Sequence, residues 1–110
     1  MRARGAAEVL ALPVRLHGIQ LGKPVAAFVD RDADRVLGFE VACGDGAHRF
    51  LPLAVASLAA DEITVHSALT LIDESDLDFY RRNTRRLADV GFADPWIDED
   101  GGLHEALSAA

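Results

Sequence analysis

Three aspartates stand at alternate positions in a polar segment between two apolar runs, and carboxylates at this spacing could bind a hard cation. Asp30, Asp32 and Asp34 match the first ligand positions of an EF-hand loop, which also requires glycine at its sixth position and glutamate at its twelfth. Those two positions hold Arg35 and Val41. We therefore expect a solvated hairpin turn, in which aspartate is favoured for backbone reasons, and no metal ion.

The other residues that could bind a metal or catalyse a reaction are scattered along the chain. His17, His48 and His66 fall on three predicted strands, and a zinc site would need all three rings on one side of adjoining strands. No local spacing supports that arrangement, so surface histidines are expected. Cys43 is expected to be a small core residue, and Glu40 an exposed strand residue with no second acid placed for acid–base catalysis. The sequence predicts no enzyme, no cofactor and no metal.

One basic cluster occurs in the sequence, and it consists of Arg81, Arg82, Arg85 and Arg86. On a helix it could bind phosphates or the acidic surface of a partner. The alternative is that these arginines complement the helix dipole and pair with acids such as Asp78. A protein partner is favoured over nucleic acid, because the acidic tail of the chain would repel a polyanion.

Two bulky apolar residues, Trp96 and Ile97, stand in an otherwise polar tail and form a second candidate binding site. Exposed together they would be an unfavourable surface, so we expect them to pack against something. Either the chain's own barrel or a second copy of the chain could cover them, and the second case would make a homodimer. The sequence leaves both possibilities open.

Charge and composition limit the class of protein. The 110 residues suit one domain, and the formal charge of −7 comes from the tail: residues 89–110 hold six of the 18 acidic residues and no Lys or Arg. This distribution argues against general affinity for nucleic acid or anionic membranes. Glu8 and Pro13 interrupt what could be a signal peptide, and no apolar run approaches the roughly 20 residues that span a bilayer. We expect a cytoplasmic protein without a membrane partner.

Alternating apolar residues and glycine-bearing turns predict a mainly β fold, a small antiparallel barrel followed by a C-terminal helix and tail. From Ser75 the apolar period lengthens to three and four residues, which predicts one helix over residues 75–90 that Gly91 ends. A weaker helix is predicted over Leu103–Ala109. Strands are predicted at 12–17, 25–30, 35–43, 47–53, 55–58 and 62–67, with a turn at 21–24 and a possible last strand continuing over 68–72.

Residues 18–72 resemble the PRC-barrel, a small β-barrel found in the photosynthetic reaction-centre H subunit and in the ribosome maturation factor family. The order and spacing of four short motifs carry this resemblance. They are Leu21-Gly22-Lys23-Pro24-Val25, Leu37-Gly38-Phe39-Glu40-Val41, Leu51-Pro52-Leu53 and Ile63-Thr64-Val65. On this basis the chain is similar to a small, stand-alone bacterial member of the family.

The resemblance implies a module that docks on other macromolecules, with an interior filled by side chains instead of a substrate cavity. It implies a barrel core over residues 12–72 within a domain of residues 1–90, followed by an acidic tail, 91–110, that carries Trp96. We predict a protein-interaction or assembly module that forms a homodimer through the C-terminal helix and tail. The alternative is a ribosome- or RNA-associated factor that uses the arginine-rich helix.

Overall fold

A computed structural model of the chain describes residues 3–67, 71–72 and 74–105, and β-strands are its main elements. The strands are β1 Ala3–Gly5, β2 Val14–Leu16, β3 Ile19–Val29, β4 Val36–Cys43, β5 His48–Pro52, β6 Ala56–Leu58, β7 Ile63–Val65, β8 Arg85–Arg86, β9 Trp96–Asp98 and β10 Leu103–His104. The helices are α1 Ala6–Leu10, α2 Glu74–Asn83 and α3 Leu87–Val90, with a 3-10 turn at Leu53–Val55. None of the helices in the described ranges is long and apolar enough to cross a membrane.

Seven strands form one sheet that curls into a half-barrel. Its order is β5-β4-β3-β2-β7-β6, and β8 pairs with the far end of β3. The long strand β3 organises the sheet, because it pairs with β4 over most of its length and with β2 over its first part. The prediction of a mainly β chain is confirmed.

The direction of one strand pair differs from the prediction. The sheet is mixed instead of antiparallel, because β2 runs parallel to β7 and places Val14 opposite Ile63 and Leu16 opposite Val65. Parallel neighbours need a long crossover connection, and here four other strands separate the two in sequence. Alternation of apolar residues is the same in both directions, so the sequence pattern could not distinguish them.

The second predicted strand begins earlier than expected. It starts at Ile19 instead of Val25, and it includes the Gly22 and Pro24 that predicted a turn. Gly22 permits a close approach of two strands, since a Cβ there would lie 2.4 Å from the carbonyl oxygen of Ala42. A β-bulge follows Pro24 and leaves Val25 outside the ladder and 53% exposed.

The single helix predicted over residues 75–90 is interrupted. The helix α2 ends at Asn83, because Arg85 and Arg86 turn into extended backbone and pair with the end of β3 as β8. One short turn, α3, follows this pairing, and Gly91 ends it in the left-handed conformation with φ of 81°. The 3.6-residue period of the apolar side chains continues through the break, so the sequence did not reveal it.

The tail forms strands where the weaker helix was predicted. Residues 103–104 are β10, which pairs with β9, while β1 pairs with the other side of β9 to complete a second sheet of three strands. Residues 106–109 of that predicted helix lie outside the described residues. The turn between β9 and β10 places Gly101 at a φ of 88°, and Ile97 and Leu103 on the two strands are buried. The tail therefore contributes to the core.

Two apolar clusters lie on opposite faces of the main sheet. The larger is the main core, and α1, α3 and the tail contribute to it. The smaller lies under α2, where Phe50 stacks on Tyr80 with ring centroids 3.9 Å apart. Of the predicted strand extension over 68–72, residues 68–70 lie outside the described residues, and Ile72 pairs with Phe50. Buried side chains of the main core are Ala6, Val9, Leu12, Val14, Ala27, Val29, Val36, Phe39, Val41, Leu51, Ile63, Val65, Leu87, Ile97 and Leu103; those of the smaller cluster are Phe28, Phe50 and Leu77.

Candidate functional site

A buried carboxylate lies between the sheet and α2. The prediction that Glu40 is exposed is wrong, since only 4% of the residue is accessible. Its Oε2 lies 2.6 Å from Nδ1 of His48 on the neighbouring strand. Arg81 of α2 donates from Nε to Oε1 at 3.2 Å and from Nη2 to Oε2 at 3.0 Å. Glu40, His48 and Arg81 are called the Glu40 cluster below.

Electrostatics favour the ionised form of this carboxylate. Burial opposes ionisation and by itself raises the pKa, but hydrogen bonds from Arg81 and His48 outweigh burial and lower the pKa of Glu40 below its usual 4.5. An ionised carboxylate only accepts hydrogen bonds, so Nδ1 of His48 carries the hydrogen in this contact. Arg81 also donates to Asp78 at 3.1 Å, which holds the guanidinium on its helix.

The hydrogen bonds of the Glu40 cluster connect α2 to two strands of the main sheet. A carboxylate that orients an imidazole is one half of many catalytic sites, but a reaction also needs a group for the imidazole to activate. Within the described residues, the hydrogen bond of the His48 ring goes to Glu40. The cluster joins α2 to β4 and β5 and covers the smaller apolar cluster between them.

Stability should depend on acid pH through Glu40. Because folding lowers the pKa of this group, its stabilising effect is complete above the unfolded value of 4.5 and is lost as the pH falls through the folded value. We expect the difference in unfolding free energy between the parent and Glu40→Gln to shrink as the pH falls below the unfolded value of 4.5. Urea unfolding at each pH measures it.

The comparison with Glu40→Gln is needed because other carboxyls also respond to acid. The hydrogen bond from Arg49 lowers the pKa of Asp45 to about 2, and that from His104 lowers the pKa of Asp98. Both contribute equally to the parent and the variant. A difference that persists unchanged at the lowest pH would contradict the assignment to Glu40.

The aspartate turn that could have bound a cation is bound by an arginine instead. Arg85 donates to the carbonyl oxygen of Asp30 at 2.8 Å and to that of Ala33 at 2.9 Å, and it lies 3.4 Å from Asp34. Within the turn, Oδ1 of Asp30 accepts from the backbone N–H of Asp32 at 2.8 Å, which is the local bond for which aspartate is favoured. The turn is a docking point for β8.

The four arginines of the predicted basic cluster do not form one surface. Arg81 binds Glu40, and Arg85 binds the aspartate turn. Arg82 donates from Nε to a backbone carbonyl of its own helix, and Arg86 is exposed. An RNA-binding test by alanine substitution should therefore change only Arg82 and Arg86, since the other two substitutions would also remove structural contacts.

The remaining sequence candidates lie apart. His17 is in a turn with φ of 49°, His66 is exposed, and His48 belongs to the Glu40 cluster. Cys43 is half-buried and packs against the main core. Over residues 3–67, 71–72 and 74–105, no three His, Cys, Asp or Glu side chains are grouped so that they could hold a metal ion.

A surface groove, which the sequence analysis did not predict, lies between α1, β3 and α3. It has a volume of about 320 Å³, and ten of its eleven lining residues are apolar. The bulge at Val25 forms part of its wall, and Arg86 is its charged residue. The lining consists of Ala6, Ala7, Leu10, Val25, Ala26, Ala27, Arg86, Leu87, Ala88, Phe92 and Pro95. We call it the apolar groove.

A smaller hollow adjoins the apolar groove and carries the predicted tryptophan. The two share Ala6, Ala7 and Pro95, and Trp96 and Asp94 line the hollow, whose volume is about 230 Å³. The structure separates the two predicted tail residues: Ile97 is 1% exposed in the chain's own core, while Trp96 stays 41% exposed. We call the groove and the hollow together the apolar face.

Short sequence signals could have suggested the apolar face. Two pairs of adjacent alanines line the groove, and small side chains at one surface leave room for another molecule. The assembly of the apolar face depends on the pairing of the tail with β1, which the sequence does not encode locally.

Comparisons with protein-family models, with curated proteins and with solved structures found no match. The PRC-barrel resemblance therefore remains a prediction.

Proposed function

We propose that this chain is a non-catalytic protein-interaction module that associates with a second copy of itself through the apolar face. The observation that carries the proposal is the exposed Trp96 beside a groove of about 320 Å³. A symmetric dimer brings the same patch of both subunits together. The exposed part of Trp96 in one subunit can then contact the alanine-lined groove of the other.

Two further features support association at this face. Exposed apolar side chains that occur together mark interaction sites more often than single ones do. Val25 is 53% exposed in the groove wall, and Phe92 and Pro95 are partly exposed along it. The face is built from α1, β3, α3 and the start of β9, which are held together by the main core, so it is preformed for binding.

The finer fold and the location belong to the same proposal. The curled sheet is proposed to be a PRC-type barrel, and the four motifs that suggested it lie in or next to β3, β4, β5 and β7. A cytoplasmic location is proposed from the single cysteine, since internal disulfides are typical of oxidising compartments. The alternative of an RNA-associated factor has less support, because Arg81 and Arg85 are engaged within the chain.

Trp96→Ser should weaken the dimer. A partly buried tryptophan at the centre of an interface is a common hot spot, so we expect the dissociation constant to rise by about tenfold or more. Light scattering of parent and variant over a concentration series measures the change in mass. Far-UV circular dichroism checks that the variant stays folded.

Phe79→Ser is the matched control for this experiment. Phe79 is an aromatic residue of α2, 57% exposed, and it lines neither the groove nor the hollow. Its substitution should leave the dissociation constant unchanged within about twofold. Loss of the dimer in Phe79→Ser with no effect in Trp96→Ser would place the interface on α2 and overturn the proposal.

A further inference from the structure

The apolar face carries one cation and one anion in separate places. Arg86 is the charged residue of the groove, and Asp94 is the charged residue of the hollow. Both are exposed, and neither forms an ion pair with another residue in the described part of the chain. Each charge lines one of the two, while Ala6, Ala7 and Pro95 line both.

The backbone fixes where these two charges stand. Arg86 is held in β8 by its pairing with Phe28 at the end of β3. Asp94 has a φ of 44°, a left-handed conformation that aspartate tolerates better than most residues, just before Pro95. The two charges are thus attached to defined backbone positions of the groove and of the hollow.

We infer that the partner seated on the apolar face is a second copy of this chain, arranged about a two-fold axis so that Arg86 of each subunit meets Asp94 of the other. Symmetry makes each contact between two different residues of the patch occur twice. A patch that carries opposite charges in its groove and its hollow can therefore pair with itself through two ion pairs. The inference rests on the proposed function and adds the orientation of the two subunits.

The ion pairs should set the orientation of the dimer more than its strength. Exposed ion pairs contribute little to affinity, whereas like charges facing each other are strongly unfavourable. An orientation that brought Arg86 against its own symmetry mate would place two positive charges together. The apolar contact supplies most of the affinity, and the charges exclude that alternative.

Charge reversal at either position tests the inference. In Arg86→Glu the new carboxylate faces Asp94 twice per dimer, and in Asp94→Lys the new amine faces Arg86 twice. Each variant alone should therefore dissociate at least about tenfold more readily than the parent at low salt. An equimolar mixture should form heterodimers with nearly parental affinity, because both contacts then join opposite charges. Light scattering of the variants and their mixture measures this.

The mixing experiment distinguishes a lost ion pair from a variant that does not fold. Two misfolded variants could not restore a dimer by mixing, so recovery shows that each is folded and that the two positions face each other. Asp89→Lys makes the same charge change at an exposed residue of α3 that lines neither the groove nor the hollow, and it should leave the dimer within about twofold of the parent.

The outcomes separate this inference from the proposed function. A parent that is monomeric at every concentration would overturn both. A parent dimer that Trp96→Ser weakens, but that both charge reversals leave unchanged, would overturn the inference and leave the proposed function standing. Weakening by each reversal without recovery on mixing would also overturn the pairing of Arg86 with Asp94.

Discussion

Glu40→Ala is expected to lower the free energy of unfolding by about 2–4 kcal/mol. The substitution leaves the guanidinium of Arg81 and the ring of His48 without the carboxylate that both contact. Breaking a fully buried pair typically costs about 3–5 kcal/mol, and the loss here should be smaller because both partners keep access to water. Their side chains are 32% and 39% exposed. Urea unfolding followed by circular dichroism measures the change.

Glu8→Ala is the control for Glu40→Ala. Glu8 forms an ion pair with Arg4 at 2.9 Å, but its side chain is 60% exposed, so its loss should cost at most about 1 kcal/mol. The double variant Glu40→Ala/Arg81→Ala should cost less than the sum of the two single variants, because both remove the same contact. Equal effects at Glu8 and Glu40 would contradict the structural role of the Glu40 cluster.

Gly38→Ala should destabilise the chain by about 3 kcal/mol or more, which is the upper range for overpacked cores. A Cβ at this position would lie 2.3 Å from the carbonyl oxygen of Leu51 and 2.7 Å from the ring of Phe50. Neither neighbour can easily move, because Leu51 is in β5 and the Phe50 ring is stacked on Tyr80. Relief would require a shift of β5 away from β4.

Gly44→Ala provides the contrast for Gly38→Ala. An added Cβ at Gly44 meets no atom within 4 Å, and so the unfolding free energy should change by no more than about 1 kcal/mol. Thermal unfolding of both variants beside the parent measures the difference. A Gly38→Ala protein as stable as the parent would show that β4 and β5 do not approach as closely as described.

Local sequence patterns were enough to predict strands that are defined by neighbouring residues, such as β4 and β5. The strand β4 and the turn before β5 lie close to their predicted positions, since turns and strand periods depend on neighbouring residues. The early start of β3 was missed, because Gly22 and Pro24 usually mark turns and here serve a close approach and a bulge. The break after α2 was missed because its cause, the pairing of β8 with β3, joins segments distant in sequence.

The candidate sites could be identified only from the tertiary structure, because their residues are distant in sequence. Glu40 and Arg81 are 41 residues apart, so no spacing rule could show that α2 buries the carboxylate. The four arginines form one group in the sequence but not in the structure, because a strand interrupts the predicted helix. Trp96 was proposed from its residue type and stays partly exposed, while the groove near it depends on contacts between distant elements.

A dilution series followed by amide NMR tests the central claim most directly. If the chain associates through the apolar face, the signals of Val25, Ala88 and the Trp96 indole should shift together with concentration, with one dissociation constant. Signals from the exposed side of α2, such as Phe79, should stay constant. No concentration-dependent shifts at any described residue, or shifts confined to α2, would contradict the account.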